Sequence, residues 1–528
     1  MVNEGKPSNR YLIALPLVAL GALTSLVTAW MDMFIPLWYD ELFTYYVSLQ
    51  DTPSKVVGAL LNGADNNSPL DYLARHFSMK LLGYSPFAFR LPSLIAFLGA
   101  STCLYLFVRK RTSFFAAAVA FAAPLCTLAL AYSYEGRPYM LMLLSMALSL
   151  LAWQRATVEP SFGRLSFLAV SLSMGPFSHF LGVFNYAPIV AGEIIRAINN
   201  RKVCWPILLA IGASLVSLFL IYPFARNAAE YTKNFWTIVS PSFLINSYQE
   251  LVQPPILFVF AAMCTYLLVD AFFSNRTTKR SDAGNVPAHE IVAAISCSLI
   301  PALIYLFAIL YTNAVAARYA ISAVVGLSLL ASYATHQISL RSARLGVLVF
   351  VSVWLAGITY VLLPVKSYLG AEAKNGVYVA SSAGLNRGTA LRVAKFIAQD
   401  ASYGGFIEGG QPTVLPHSLT FLASYYYLPS DLKRQIYFIA DRPLAVQYRG
   451  FDTDAIGIKG LSNTVPMNVF TLCEFLAKYS QFSVIGTKGW LRKKLMEEGI
   501  RPHNARIQKD LEVFLYDVES LAECELRN

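Results

Sequence analysis

Apolar segments long enough to cross a bilayer recur through the first 363 residues, separated by short polar joints. A helix needs about 20 predominantly apolar residues to cross ~30 Å of hydrocarbon. Such segments occur at Tyr11–Trp30, Leu91–Val108, Ser113–Tyr132, Pro138–Trp153, Leu165–Phe177, Phe180–Ile195, Val203–Phe224, Leu251–Phe273, Ile291–Tyr311, Tyr319–Ala334 and Leu345–Leu363. The pattern predicts a polytopic α-helical membrane protein with about 11 transmembrane helices. Leu165–Phe177 is the shortest, and with the next segment it could instead form a re-entrant hairpin. Tyr11–Trp30 lacks a small-residue cleavage site and reads as a retained helix. Composition agrees: 56% of residues are apolar and 14% charged, against about 25% charged in a soluble domain.

Lys and Arg set the expected orientation. Lys6/Arg10, Arg109/Lys110/Arg111, Arg155/Arg164, Arg196/Arg201/Lys202, Arg276/Lys279/Arg280 and Arg341/Arg344 occupy alternate joints. The positive-inside rule makes that side cytoplasmic. The N-terminus is then cytoplasmic. Residues 31–90, the joint 133–137, His179, the loop 225–250, the joint 312–318 and the tail share the extracytoplasmic face. The net charge of +11 is explained by these flanking residues, so nucleic acid is not an expected partner. Membrane lipids are.

Two domains are expected: a transmembrane domain over 1–363 and an extracytoplasmic α/β domain over 364–528. The tail alternates short apolar runs (Val377–Ala380, Gln435–Ile439, Phe482–Ile485, Val513–Tyr516) with helical stretches (Thr389–Asp400, Asn468–Tyr479, Leu491–Glu498). In the outer loop 31–90, Trp38–Leu49 and Leu70–Leu82 have amphipathic helical spacing, which fits helices lying on the membrane surface. Five cysteines lie in apolar segments and read as small hydrophobes. Cys473 and Cys524 lie in the tail, where an oxidising compartment would let them pair.

Three constellations can carry chemistry. Asp40 and Glu41 follow the first span. Adjacent carboxylates at a membrane rim are costly to desolvate, so each needs a partner or a chemical role. One reading is a general base whose neighbour holds a metal or hydroxyl. The other is a pair of acids at a helix N-terminus, favoured by its dipole. Glu135 and Arg137 share the tight joint Ser133–Pro138. Glu135 could join Asp40 in holding a divalent metal or dividing acid/base roles, or neutralise Arg137. The outer cations Arg75, His76, Arg90, Arg137, Arg226, Lys233 and Arg318 are unusual on this face. Arg318 and Arg137 each open a span, where a guanidinium suits a phosphate; the alternative for the set is snorkelling to headgroups. Glu193 and Asp270 read as charge-paired, His179 as a hydrogen-bonded joint residue or a ligand, and Tyr425–Tyr427 as domain core or a sugar platform. No Walker loop, dinucleotide fingerprint, HExxH or Cys/His metal box is present, which argues against a nucleotide-driven pump.

The Asp40-Glu41 pair, Asn66-Asn67-Ser68-Pro69-Leu70-Asp71-Tyr72, Phe89-Arg90-Leu91-Pro92-Ser93, Glu135-Gly136-Arg137-Pro138-Tyr139 and Ala317-Arg318-Tyr319 occur in this order. In this the chain resembles the C-type (GT-C) membrane glycosyltransferases, in the branch of protein O-mannosyltransferases and the lipid A aminoarabinose transferase. The resemblance implies a GT-C fold, a polyprenyl-phosphate-linked sugar donor, an extracytoplasmic acceptor, and transfer with inversion. It implies Asp40 as base with Glu41 beside it, Glu135 near the donor phosphate or a metal, and Arg137 and Arg318 as phosphate contacts. Arg75, His76, Arg90, Tyr139 and Tyr319 join them as candidate substrate-binding residues. Many bacterial relatives carry His or Lys and two prolines where this chain has Asn67-Ser68-Pro69, so no contact is carried over there. The rival readings are a lipid or solute transporter with an extracytoplasmic sensing domain, and a non-catalytic membrane scaffold.

Overall fold

The computed structural model describes residues 8–237, 239–273, 286–372, 393–398, 411–486, 489–508 and 511–518. Each of the eleven apolar segments is mostly helical over its described residues. Seven of the described helices are long and apolar enough to span a membrane, or eight if one bent pair counts as a single span. Three of the other segments differ for identifiable reasons, while Leu251–Phe273 is helical from Pro254 to Phe273. Ser113–Tyr132 breaks at Pro124 into Phe114–Ala122, a 3₁₀ turn and Leu128–Ser133, because proline cannot donate to the helical ladder. Phe162–Ser178 has 17 residues. Ile291–Tyr311 bends by 46° between Ala288–Ser298 and Ile300–Thr312, where Pro301 opens the second half.

The chain divides into two compact units. The first comprises residues up to 34, 68–222 and 239–365. Its core is apolar and rich in small residues, from Ala96 and Ala100 through Ala116–Ala120 to Ala293 and Ala294, which lets helices approach closely where lipid supplies no hydrophobic drive. Where charge enters, it is paired: Glu193 meets Arg196 at 2.5 Å and accepts from the Trp153 indole at 3.0 Å, and Glu290 meets Arg111 at 3.0 Å. The Asp270 side chain lies outside the described residues.

The second unit comprises residues 35–67, 223–238 and 366–528. The last apolar helix runs from Ala343 to Glu372, so residue 363 falls inside it. The sheet has six described strands: β1 (Thr413–Val414), β2 (Ile436–Ile439), β3 (Val469–Phe470), β4 (Gln481–Ile485), β5 (Asn504–Gln508) and β6 (Leu511–Asp517). Their order is β3-β2-β1-β4-β6-β5. The first four are mutually parallel and the last two join antiparallel. The strands expected at 435–439, 482–485 and 513–516 and the helices at 468–479 and 491–498 are present, the last two as Leu472–Lys478 and Trp490–Glu497. Val377–Ala380 lies outside the described residues, and of Thr389–Asp400 only 393–398 is described, as helix. Cys473 takes part in a disulfide, while Cys524 lies outside the described residues.

The two helices expected in the outer loop are present as helices. Tyr39–Ser48 lies in the second unit and Pro69–Leu82 in the first. Tyr39–Ser48 docks on Ser418–Tyr427 through edge-on aromatic pairs, Tyr45–Tyr426 at 5.2 Å and Tyr46–Tyr425 at 5.9 Å. Such pairs add about 0.5–1.5 kcal/mol each beyond buried area. The Tyr427 hydroxyl accepts from Leu37 N at 2.9 Å. The three tyrosines are therefore an anchor for the loop rather than an exposed sugar platform.

Candidate active site

The first unit gathers most of the expected cations. Pro69 opens the helix Pro69–Leu82, and Asp71 and Arg75 stand one turn apart on its buried face. Arg75 is fully buried. Its Nε and Nη2 grip the Asp71 carboxylate at 2.8 and 2.7 Å. Nη1 donates to Phe89 O at 2.7 Å, and Nη2 to Ser93 Oγ and Arg137 O, both at 2.9 Å. Ser93 Oγ in turn donates to Glu135 O at 2.6 Å. The guanidinium covers the Phe89 ring at 5.1 Å. Arg75 is thus a clamp on the backbone of the Glu135-Gly136-Arg137 joint. Gly136 is required there, because a Cβ would lie 2.0 Å from Phe89 Cε1. Arg90, also fully buried, donates to Asp32 O at 3.0 Å, and His76 is buried with its ring against Phe77.

The same joint presents Glu135 and Arg137, both nearly buried. Pro138 then starts the helix Tyr139–Val158. The Tyr139 hydroxyl accepts from Arg318 Nε at 3.0 Å, across from the 3₁₀ turn Ala317–Ala320. The Arg318 guanidinium lies 5.6 Å over Tyr319. His179 sits between the two rings, 5.7 Å from Tyr139 and 5.4 Å from Tyr319.

His179 belongs to a joint held by backbone. Gly182 N donates to His179 O at 2.8 Å, and a Cβ on Gly182 would meet Gly175 O at 2.2 Å. His179 Nδ1 accepts from Leu181 N at 3.1 Å, which puts the neutral ring's proton on Nε2. Burial, then the charges of Arg137 and Arg318, depress its pKa to about 3. Two guanidinium groups and an uncharged imidazole donor therefore share one neighbourhood, a donor set suited to an oxyanion. The sequence offered one signal for His179, a lone polar residue in a glycine-flanked joint. Its grouping with Arg137 and Arg318 needed the fold.

Asp40 and Glu41 belong to the second unit, at the start of Tyr39–Ser48. The buried Glu41 carboxylate accepts from Trp38 N at 3.3 Å and so caps the helix. Asp40 is half-buried. Its neighbour Tyr39 has its phenol pushed well above the usual pKa by burial, with the Asp454, Tyr231 and Asp40 charges adding to the effect. Helix N-terminus and half-buried acid thus occur together, since the dipole stabilises carboxylates there. Among the described residues no group of three or more His, Cys, Asp or Glu gathers to hold a metal, and Asp40 and Glu135 belong to different units.

Comparison with known proteins adds the family context. Residues 66–226, which hold the Arg75 clamp, the Glu135–Arg137 joint and His179, match the family model for dolichyl-phosphate-mannose-protein mannosyltransferase. No curated protein matches the sequence. The fold is similar to ArnT from Cupriavidus metallidurans in the apo state, with TM-score 0.59 and 12% identity over 95% of this chain and 98% of that one. ArnT bound to undecaprenyl phosphate gives TM-score 0.56 and 11% identity over the same shares. The Archaeoglobus fulgidus oligosaccharyltransferase crystallised with Zn and sulfate matches with TM-score 0.44 and 10% identity, over 89% of this chain and 67% of that chain. The resemblance to GT-C membrane glycosyltransferases is borne out: the chain has the GT-C fold of ArnT, an array of membrane-spanning helices joined to a domain with a small sheet.

Proposed function

We propose that this protein is an integral-membrane glycosyltransferase that moves a sugar from a polyprenyl-phosphate donor to an extracytoplasmic acceptor, with inversion. The observation that carries this reading is the grouping of Arg137, Arg318, Tyr139, Tyr319 and His179 at the joints between apolar helices. A lipid-linked donor brings its phosphate to such joints from the bilayer. The two guanidinium groups and His179 Nε2–H hold that phosphate and stabilise the charge it gains as the sugar leaves. The matched family model and the ArnT-like fold support the same reading.

In the proposed reaction Asp40 accepts the acceptor's proton as its oxygen or nitrogen attacks the anomeric carbon. The bond from that carbon to the phosphate oxygen breaks, and polyprenyl phosphate departs. One displacement inverts the anomeric centre. Glu41 fixes Asp40 by capping its helix, and Glu135 lies beside the phosphate-holding Arg137. No step is routed through a metal. The N-terminus is placed in the cytoplasm and the Asp40-bearing unit outside, in an inner or cell membrane.

The test is transfer from a polyprenyl-phosphate sugar by Asp40→Asn, with folding checked by thermal unfolding. Loss of a general base costs about 10²–10⁴-fold. Turnover like that of the wild type would remove Asp40 from the reaction.

A further inference from the structure

The sheet of the second unit has a second feature that the transfer reaction does not use. Strand β1 lies between β2 and β4, all parallel. The helix that follows β1, Ser418–Tyr427, packs Phe421 on Phe438 at 5.4 Å. The helix that follows β4, Trp490–Glu497, packs Trp490, Leu491 and Leu495 into the cluster of Tyr437, Ile439 and Val484. Residues 437 and 438 alternate across the sheet, so these two helices leave adjacent strands toward opposite faces. A crevice at the carboxyl ends of the strands is the geometric consequence, and open α/β sheets bind ligands at such a point.

That crevice is present. A cavity of about 380 Å³ opens there, lined by Pro416 and His417 after β1, by Gly489, Trp490 and Lys493 after β4, and by Tyr448 and Arg449. Its volume falls in the range of about 300–1,000 Å³ typical of small-molecule sites. The Tyr448 and Trp490 rings, 6.5 Å apart and inclined by 27°, both line the cavity. Arg449 is held by Asp454 at 2.8 Å and lies 4.1 Å over Phe451. The Lys493 ammonium stands 5.3 Å over the Tyr448 ring. No carboxylate is among the described residues that line the cavity. The nearby acids Asp454 and Glu497 are engaged by Arg449 and by the Tyr448 hydroxyl. His417 has its pKa lowered by desolvation and then by the charge of Arg449.

We infer that this cavity is a binding site for a saccharide that carries a phosphate or carboxylate group. Aromatic faces stack on the apolar faces of a sugar ring, and Lys493 provides the countercharge, with the Asp454-paired Arg449 as a further hydrogen-bond donor. None of its lining residues is among those proposed for transfer, and the inference does not depend on that reading.

Calorimetric titration of the full chain in detergent tests it, with glucose 1-phosphate and glucuronate as probes and glucose and inorganic phosphate as references. Both anionic sugars bind the wild type more tightly than either reference. Lys493→Glu, at an exposed position, and Tyr448→Ala each weaken them about tenfold or more, with melting temperatures confirming the fold. Asp40→Asn binds as the wild type does, which separates this site from failure of the transferase reading. Equal affinity for inorganic phosphate, equal affinity for glucose, undiminished binding by Lys493→Glu, or no binding to the folded wild type would each overturn the inference.

Discussion

Gly136→Ala is the sharpest single probe of the phosphate-side site. The added Cβ would sit 2.0, 2.4 and 2.9 Å from Cε1, Cζ and Cδ1 of Phe89. Carbon atoms pack at about 3.5–4.0 Å, so something must move by roughly 1.5 Å. Phe89 cannot swing cheaply. It is fully buried, its ring lies under the Arg75 guanidinium at 5.1 Å, and its carbonyl accepts from Arg75 at 2.7 Å. Overpacking of this kind costs about 1–3 kcal/mol. The backbone that yields instead carries Glu135 and Arg137, and a displacement near 1 Å at a reacting site costs about 100-fold in rate. Gly163, at the start of Phe162–Ser178, would place its Cβ in open space, so Gly163→Ala is the matched control. Thermal unfolding in detergent and transfer from a polyprenyl-phosphate sugar are the readouts. Gly136→Ala should melt lower and transfer about 100-fold more slowly, while Gly163→Ala does neither. Adding Phe89→Leu should recover part of the loss by making room. Wild-type melting and transfer by Gly136→Ala would refute the account of the joint.

Two further outcomes follow from the same network. Arg75→Met leaves the Asp71 carboxylate buried without its cation, which costs about 3–5 kcal/mol; Asp71→Leu/Arg75→Met recovers much of that stability by thermal unfolding. The double variant does not recover transfer, because Arg137 O, Phe89 O and Ser93 have still lost their donor. His179 supplies a pH signature. Its folded pKa, about 3, lies below the unfolded value of about 6.5. The unfolded chain therefore binds the extra proton, stability is complete above pH 6.5 and falls as pH drops toward 3. At pH 5 the loss is about 2 kcal/mol. His179→Asn should flatten that part of the stability curve, and an unchanged curve would mean that His179 is not buried between the arginines.

The apolar segments were legible because a bilayer imposes one length and one composition on anything that crosses it. Breaks within them were harder to read. Pro124 and the bend before Pro301 depend on local ladder geometry rather than on average hydropathy. In the tail, the alternation of apolar runs placed the central strands, but two-residue strands such as Thr413–Val414 carry too little pattern to see. At the site, residue type and order pointed to Arg75, Arg137 and Arg318 alike. Sequence could not separate the clamp from the proposed phosphate contacts, since the difference lies in which donors are spent on backbone carbonyls. Glu41 shows the same ambiguity: its helix-capping bond to Trp38 N needs only three residues of local geometry, yet from sequence it reads equally as half of an acidic pair. His179 carried the weakest signal, because it lies far from Arg137 and Arg318 along the chain.

The buried arginines also bear on why such a site is built this way. A guanidinium taken out of water is costly unless its donors meet acceptors. Arg75 meets that condition with one carboxylate, one hydroxyl and two carbonyls, all at 2.9 Å or less. Those acceptors come from the helix Pro69–Leu82, the helix Pro86–Arg109 and the joint 133–138, so the charge is satisfied only when all three are in register. Apolar packing alone would not impose that condition, because lipid tails and leucine side chains are interchangeable neighbours. The same logic separates the roles of neighbouring cations. Arg75 directs donors at the backbone carbonyls that fix where the joint lies, and Arg90 directs one at Asp32 O in the first apolar helix. Arg318 is half-buried and is steadied from the side, through Nε, by the Tyr139 hydroxyl. Under the proposed function, cations that must stay in place as a phosphate comes and goes require both kinds of residue. The Asp71–Arg75 pair, neutral as a unit and bonded into three elements, holds the joint without adding net charge to it.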